Sequence, residues 1–452
     1  MALAVMSSCS KDNDPGIGNP EENNDKAVIA LGLDVPTVTA STRGTGSVGD
    51  VAGDQNTWNS QKLYIYMVDR NTGLEAEEGA ENAKTKILDN GVLEFRAPKA
   101  DAKDKGAIRI YKSYTEDSDN GVIQYKYYPT NGQYTFYGYH IDDAANANPS
   151  ITATEKKVTG VTIDGTQDLL AAKTIDMAEN DATAADPESF YKDIATSLGS
   201  EWTELMKYQF GARTARKGIV PVLKFEHQLA RLKFFVRAGS ASAAGYEWQT
   251  SQWVERKSSD AAAKPLGMQV TKITLKDMAN VVDMDLTVPS STRNGAGVAD
   301  FVVCSKDAAA NNKLDPTKGL IDPVVPKYPY EDANIPAQDP DTKGTQVGEP
   351  VMFFPIDDPD NGNITLSIDL KQYVEDTKDE ATGTITYKEV EKADNKLIID
   401  QSKISGATKK FMPGASYNVY ITIYGLEKIE VTAVLTAWEN GGDIDADIED
   451  GK

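Results

Sequence analysis

Hydrophobic residues alternate with polar ones through most of the first half of the chain, which is typical of half-buried β-strands. The runs are rich in β-branched and aromatic residues and are bounded by Gly, Asn, Asp and Pro. Because no helices alternate with these runs, the pattern predicts a mainly β protein built from sandwiches rather than from a parallel sheet. The predicted strands are 63–68, 92–95, 108–111, 122–128, 134–139 and 158–163.

The second half predicts strands of the same kind, with one irregularity in a long apolar run. Leu223, Phe225 and Leu229 occupy one parity of this run, whereas Leu232, Phe234 and Val236 occupy the other. A shift by one residue turns the apolar side to the opposite face, so we expect a bulge or a change of partner sheet near Gln228. Further strands are predicted at 268–275, 281–288, 301–304, 352–355, 364–370, 384–387, 417–424 and 428–438.

One segment has a helical period instead. Between residues 188 and 210, apolar residues recur at every fourth position from Phe190 to Trp202, and Pro187 stands where a helix could begin. A basic, glycine-containing stretch follows at 213–218, and we place a domain boundary there. The predicted parts are a signal remnant with a tether at 1–26, a first domain at 27–217 and a second at 218–452.

Charge and composition narrow the classes of function. The chain has 452 residues and a net charge of −22, and such a surface repels phosphate backbones, so we expect no nucleic-acid partner. Only two His and two Cys are present, which excludes His/Cys zinc sites and a disulfide framework. Few side chains that commonly act in acid–base catalysis therefore remain. We therefore predict no enzyme, no cofactor and no metal.

The first residues predict export and lipidation. A short apolar stretch and two serines precede Cys9, and they resemble the end of a bacterial lipoprotein signal. The stretch is shorter than the roughly 20 apolar residues that span a bilayer, and it lacks the basic start of a full signal peptide. We expect Cys9 to carry lipid and the polar residues 14–26 to form a tether. The alternative is a free cysteine in a disordered tail.

Three candidate sites for chemistry fail on local geometry. The glycines at 44–49 have dinucleotide-binding spacing, but flexible residues follow them instead of a helix. His227 and Glu226 are neighbours in a predicted strand and point to opposite faces, so His227 is interpreted as structural. The acidic run 443–450 lacks the glycine and the final glutamate of a calcium loop. None of the three supports a catalytic or metal site.

The acidic C-terminus carries a second pattern. Ile444, Ala446 and Ile448 alternate with aspartates, as in a strand that lays one apolar edge into a groove. A solvated acidic tail accounts for the same composition. Both interpretations remain open at this point.

Several stretches taken together resemble the fimbrillin family of outer-membrane pilins. They occur in the same order behind the lipidation motif and cover most of the chain. The stretches are 128–129 with 134–139, 168–172, 223–232, 411–420, and 429–433 with Trp438.

This resemblance implies both a fold and a mechanism of assembly. The implied fold is a pair of tandem antiparallel Greek-key β-sandwiches of transthyretin type, with one short helical insertion. The implied mechanism begins with a lipidated precursor on the outer membrane. An arginine-specific surface protease removes the first strand, and the vacated groove accepts a strand from the next subunit. The implied location is the cell surface, in a fimbrium that attaches to a host or bacterial receptor.

Mapped onto this chain, the implied first strand is 27–42 and the cut falls between Arg43 and Gly44. Arg43 is the first arginine of the chain, and small residues follow it, as is usual where proteolysis concentrates. The donor strand comes from one of two C-terminal segments. The candidate donor residues are Ile429, Val431, Ala433 and Leu435 in the first segment, and Ile444, Ala446 and Ile448 in the second.

Three functions compete at this stage. A shaft pilin is cut and polymerises with other fimbrial subunits. A tip adhesin is cut and accepts a strand but donates none, which would suit a chain with only 14 residues after Trp438. A glycan-binding surface lipoprotein is not cut and does not polymerise. It would use Trp248, Trp253 and the tyrosine-rich strands as a stacking platform for sugars.

Overall fold

The computed structural model describes residues 27–177 and 191–436. Gaps fall at 30, 35–61, 80–83, 89–90, 97–106, 111–125, 142–149, 153–155, 250–251, 257, 259–264, 296, 308–320, 328–343, 356–361, 402–403, 405–409 and 427–428. The described part is mainly β, with several antiparallel sheets and few helices, which confirms the predicted fold class. The Greek-key arrangement and the domain bounds remain predictions.

Among the described residues, the first part of the chain contains ten strands, and three short helices follow them. The strands are β1 (Gly32–Asp34), β2 (Lys62–Asp69), β3 (Glu77–Glu78), β4 (Thr85–Lys86), β5 (Gly91–Arg96), β6 (Ala107–Ile110), β7 (Tyr134–Ile141), β8 (Ser150–Thr152), β9 (Lys157–Thr162) and β10 (Leu169–Thr174). The helices are α1 (Lys192–Leu198), α2 (Ser200–Met206) and α3 (Ala212–Ala215).

The remaining strands occupy the rest of the chain. They are β11 (Val222–His227), β12 (Ala230–Ala238), β13 (Tyr246–Gln249), β14 (Gln252–Glu255), β15 (Gln269–Ala279), β16 (Val281–Asp285), β17 (Ser290–Arg293), β18 (Val298–Ser305), β19 (Thr345–Gln346), β20 (Val351–Phe353), β21 (Ile364–Lys378), β22 (Ile385–Ile399), β23 (Ser416–Ile423) and β24 (Ile429–Thr436).

A seven-stranded sheet organises the first part of the chain. Its strand order is β1-β11-β10-β7-β2-β5-β6, and the pairs are antiparallel except for β1 with β11, which is parallel. One face contributes Leu63, Ile65 and Phe136 to the smaller of two buried clusters. The opposite face contributes Tyr66 and Tyr139 to the larger cluster. β2 and β7 are therefore buried on both faces.

The chain changes sheets at Gln228, as the change of parity predicts. β11 pairs with β10 in the seven-stranded sheet, whereas β12 pairs with β23 in a different sheet. Phe225 is buried in the smaller cluster, and Phe234 is buried in the larger one. Leu229, which has the parity of Phe225, is also buried in the larger cluster, so the change of core falls between Phe225 and Leu229.

Three further sheets surround the larger cluster. One has the order β19-β12-β23-β24, with β20 also paired to β12, and a second has the order β18-β15-β21-β22. The third has the order β17-β16-β9-β8 and joins strands from the two halves of the chain. Two small hairpins, β3-β4 and β13-β14, complete the described sheets.

The predicted helical segment is confirmed, and a glycine interrupts it. Gly199 separates α1 from α2 and has a φ of 54°, a conformation that glycine adopts without a steric penalty. Trp202 and Leu205 are buried in the smaller cluster beside Tyr191, whose ring centroid lies 5.9 Å from that of Trp202. The helices therefore pack on the smaller core.

Candidate functional site

The predicted first strand is the segment that closes one edge of the smaller core. Ala27 and Ile29 are buried at 7% and 4% exposure, and the intervening Val28 is half-buried. Leu31 is partly buried against the same cluster. The alternation of buried and half-buried side chains is that of a strand lying on a core.

The backbone of this segment bridges two other elements. Ile29 donates its N–H to the carbonyl oxygen of Lys126 at 2.8 Å, and Tyr128 donates to the carbonyl oxygen of Ala27 at 2.9 Å. Further along, β1 runs parallel to β11 from the pair Gly32–Val222 to the pair Asp34–Lys224. The segment is thus the terminal strand of the seven-stranded sheet, and without it β11 would have a free edge.

Aromatic residues form the part of the core that this segment covers. Tyr128 is buried, and its ring centroid lies 6.0 Å from that of Tyr134 and 6.2 Å from that of Phe136. Leu223 and Phe225 of β11 are fully buried in the same cluster as Ala27 and Ile29. We call the surface beneath residues 27–34 the first-strand groove.

Tyr128 is an electrostatically unusual residue in this groove. Burial, with smaller contributions from Tyr191 and Tyr134, raises the pKa of its phenol far above the ordinary value. Its hydroxyl has no hydrogen-bond partner within the described part of the chain. Burial raises the pKa of the neighbouring Tyr134 to about 12. Both phenols are therefore neutral at physiological pH.

The first donor candidate is strand β24 at the end of the described chain. β24 pairs with β23 through eight residue pairs, from Ser416–Thr436 to Ile423–Ile429. It has no second strand partner among the described residues. Ile429 and Val431 pack against the larger cluster, and Ala433 and Leu435 stand opposite Val419 and Tyr417 in the register. β24 is thus an edge strand of its own sheet.

The remaining predicted site residues lie outside the described residues. These are Cys9, Arg43, Gly44, Ile444, Ala446 and Ile448. Lipidation, processing and the use of the acidic tail as a donor therefore remain predictions.

His227 lies in the interior and has a carboxylate partner. Its Nδ1 lies 2.9 and 3.1 Å from the two carboxylate oxygens of Asp168. The two side chains are only 3% and 1% exposed. Glu226 instead forms an ion pair with Lys224 at 3.3 Å. The separation of Glu226 from His227 agrees with the opposite-face argument from the sequence.

The proposed aromatic platform is divided between surface and core. Trp248 is 54% exposed, and the backbone of β13-β14 places it directly opposite Trp253. The strand tyrosines, in contrast, pack inside: Tyr139 stacks on Tyr64 with ring centroids 4.8 Å apart, and Tyr66 and Tyr139 are buried. The tyrosine-rich strands therefore serve the core, because their face is covered by the larger cluster.

The described ranges contain neither a metal-binding cluster nor a membrane-spanning helix. No group of three or more His, Cys, Asp or Glu residues in these ranges is arranged to hold a metal ion. No helix in the same ranges is long and apolar enough to cross a membrane.

The chain is similar to several solved structures at low sequence identity. No family model and no curated protein matches it. A "putative cell adhesion protein" from Bacteroides uniformis is 12% identical over 91% of this chain and 98% of that chain, with a TM-score of 0.42. The tip fimbrial protein Mfa3 from Porphyromonas gingivalis is 10% identical over 91% and 100%, with a TM-score of 0.33. A structure from Bacteroides thetaiotaomicron described as "putative polysaccharide binding proteins" is 9% identical over 88% and 93%, with a TM-score of 0.30.

Proposed function

We propose that this chain is a fimbrial subunit that polymerises by donor-strand exchange. An arginine-specific protease cuts between Arg43 and Gly44 and releases the segment that contains residues 27–34. The observation that supports this proposal most directly is the burial of Ala27 and Ile29 at the free end of the seven-stranded sheet. A segment in this position can leave without unthreading any other strand.

Burial of apolar surface and backbone hydrogen bonding both favour replacement of the released segment by another strand over a groove that stays open. Burial of one Ile side chain contributes about 1.5–3 kcal/mol. Release of the segment would expose Ile29's contact surface and leave backbone groups of β11 unpaired. An unpaired strand edge next to an apolar groove is the template for β-augmentation. Another chain that supplies a strand would restore both the burial and the hydrogen bonds.

We assign the donor to the tail with Ile444, Ala446 and Ile448 rather than to β24. Ile429 and Val431 of β24 already pack on the larger cluster, so donation of β24 would uncover part of the subunit's own core. The tail's apolar residues have the two-residue spacing of a strand that fills a groove on one side.

The contact between subunits is head to tail. A groove near one end of the chain receives a segment from the other end of a different copy, and such a heterologous contact builds a filament because it does not close on itself. Other fimbrial subunits are therefore the partners, and Cys9 carries the lipid that holds the precursor on the outer membrane before the cut. The filament supports attachment to a host or bacterial surface.

The proposal is tested by treating the delipidated precursor with an arginine-specific protease. We expect a single cut after Arg43 by intact mass and a ladder of oligomers on an unboiled denaturing gel. Arg43→Lys keeps the charge and removes the cleavage site, so this matched control should stay monomeric. A cut chain that stays monomeric would contradict self-polymerisation and indicate a tip subunit. Resistance at Arg43, or cleavage throughout the chain, would contradict the whole mechanism.

A glycan-binding lipoprotein is the second candidate function, and Trp248 is the observation that favours it. An indole that is 54% exposed on a short hairpin, with Trp253 opposite in register, presents an apolar surface that stacks on sugar rings. Titration with glycans should then shift tryptophan emission, and Trp248→Ala should remove the shift. No shift with any glycan would leave strand exchange as the only function supported.

A further inference from the structure

A basic stretch of chain leads into the strand that borders the first-strand groove, although the protein as a whole is acidic. Residues 205–225 include five Lys or Arg and no Asp or Glu, in a chain whose net charge is −22. All five cationic side chains are exposed to solvent. We call them the basic surface, and its members are Lys207, Arg213, Arg216, Lys217 and Lys224.

The fold connects the basic surface to the strand that the first segment covers. α3 packs on the smaller core through Ala212. Because the Ile219 N–H donates to the Thr214 carbonyl oxygen at 3.1 Å, only residues 220 and 221 separate this turn from β11. Lys224 lies on β11 itself and stands opposite Asp34 in the register. A strand paired along β11 therefore runs beside Lys224.

The contacts of the basic surface within its own chain are of the kind that can be exchanged. Three lysines form ion pairs at solvent-accessible positions, and such pairs contribute little to stability. The pairs are Lys207–Glu204, Lys217–Glu201 and Lys224–Glu226, with N–O distances of 2.8, 2.8 and 3.3 Å. The guanidinium of Arg213 instead lies 4.4 Å from the ring centroid of Tyr208. A stacked guanidinium presents its N–H groups at the edge of its plane, where a carboxylate can accept from them.

The tail that we assign as the donor carries the matching charge. Residues 443–450 include five Asp or Glu and no Lys or Arg, and aspartates alternate with the apolar residues. A strand with this pattern buries its apolar side and turns its carboxylates to the other side. In the first strand, Asp34 follows Leu33 and lies beside Lys224. Asp445 follows Ile444 in the same order, so the tail can present an aspartate to β11 in place of Asp34.

We infer that the basic surface recognises the acidic tail 443–450 of a second copy of this chain. The inference rests on the proposed strand exchange and identifies what selects the incoming strand. The apolar residues of the tail fill the groove, and its carboxylates pair with the basic surface. An apolar strand without carboxylates would fill the groove but gain none of these ion pairs. Because both copies are acidic overall, this local opposition of charge orients their approach and speeds association.

The test is charge reversal of each partner in the full chain, alone and together. Arg213→Glu with Arg216→Glu reverses two cations of the basic surface, and Asp445→Lys with Asp447→Lys reverses two anions of the tail. After the cut at Arg43, light scattering measures the rate of assembly. Each reversal should slow assembly at least about tenfold, because the attraction becomes repulsion. The combined variant should recover to within about threefold of the parent rate, because opposite charges face each other again.

Two controls separate recognition from folding and from net charge. Arg293→Glu makes the same kind of change at an exposed arginine of β17, outside the basic surface, and should assemble at the parent rate. Thermal unfolding of the uncut chains should show that the reversals at exposed positions leave the fold intact. Slowing by Arg293→Glu equal to that of the reversed basic surface would overturn the location.

The outcomes distinguish this inference from the strand exchange on which it rests. Equal assembly rates for the parent and both single reversals would overturn recognition of the tail and leave strand exchange standing. A parent that does not assemble after the cut would overturn strand exchange and the inference with it. If the combined variant fails to recover, and the reversed basic surface loses binding to heparin, the basic surface binds an anionic glycan instead of the tail.

Discussion

Ile29 donates its backbone N–H to the carbonyl oxygen of Lys126, and its side chain is 4% exposed. These two residues lie 97 positions apart in the chain, so the contact joins the first described segment to the middle of the first half. Among the described residues, the backbone of the segment bonds to Lys126, Tyr128 and β11, and the segment covers a buried aromatic cluster. This combination suits a strand that is present in a precursor and exchanged later.

Substitution of Ile29 tests how much the first segment stabilises the smaller core. Ile29→Ala should lower the free energy of unfolding by about 2–4 kcal/mol, because the buried side chain leaves a cavity. Val28→Ala is the control on the other side of the same segment and should cost less than about 1 kcal/mol. Urea denaturation of the uncut chain measures both. Equal losses would show that the segment does not pack as described.

Because Tyr128 is buried, we expect the free energy of unfolding to depend on pH in the alkaline range. Burial raises the folded-state pKa of its phenol above the ordinary value of 10.0. Above pH 10 the unfolded chain loses this proton and the folded chain keeps it, so the unfolded state binds fewer protons and stability falls as pH rises. Below pH 10 the contribution of Tyr128 is fully present.

The substitution Tyr128→Phe separates this effect from general alkaline damage. It should reduce the loss of stability above pH 10 by up to about 1.4 kcal/mol per pH unit. At pH 7 the variant should be as stable as the parent or more so, because the hydroxyl has no partner among the described residues. Tyr134, with a pKa of about 12, retains part of the dependence in the variant. An unchanged alkaline slope would contradict burial of the Tyr128 phenol.

Removal of one member of the buried pair Asp168 and His227 should lower the free energy of unfolding strongly. Removal of one member of a buried pair leaves the other without its partner, so Asp168→Ala should cost about 3–5 kcal/mol. The double variant with His227→Leu should cost less than the sum of the two single changes. Glu226→Gln, which affects only the exposed pair with Lys224, should cost less than about 1 kcal/mol. Additive losses would contradict direct coupling.

We expect the outer half of the β21-β22 hairpin to tolerate shortening. Leu370 is the last buried residue of β21, and the residues from Glu375 to the turn are exposed. Replacement of 374–388 by Asn-Gly joins Tyr373 to Glu389, which already face each other in the register. The melting temperature should change by less than about 3 °C. Leu366→Ala, in the buried half, should lower the melting temperature by more than the shortening does. A larger decrease for the shortened hairpin than for Leu366→Ala would contradict the burial pattern of this hairpin.

The sequence predicted the features that depend on local periodicity. The change of parity near Gln228 became a change of sheet, because the apolar residues before Gln228 are buried in the smaller cluster and those after it in the larger one. The helical period at 188–210 became two short helices, and Gly199 accounts for the break between them. Alternation of apolar and polar residues predicts a strand wherever one face is exposed to solvent and the other is buried.

Other features were missed because burial did not alternate or because contacts were distant. β10 was not predicted as a strand: Leu169 and Ala171 enter one core while Leu170 and Ala172 enter the other, so it has no polar side. β22 was predicted over four residues but spans Ile385–Ile399; only its last residue is buried, and the others are half-buried or exposed. The position of Lys224 beside Asp34 depends on tertiary pairing that no local pattern encodes.

Amide hydrogen exchange across β11 tests strand exchange most directly. In the uncut chain, Leu223 and Lys224 should be protected, because β1 pairs with them on one edge and β10 on the other. After the cut at Arg43, the account predicts that full-length oligomers keep this protection, whereas a chain truncated after residue 436 stays monomeric and loses it on the β1 side. Oligomers in which β11 is unprotected, or protection that persists in the cut and truncated monomer, would contradict donor-strand exchange at this groove.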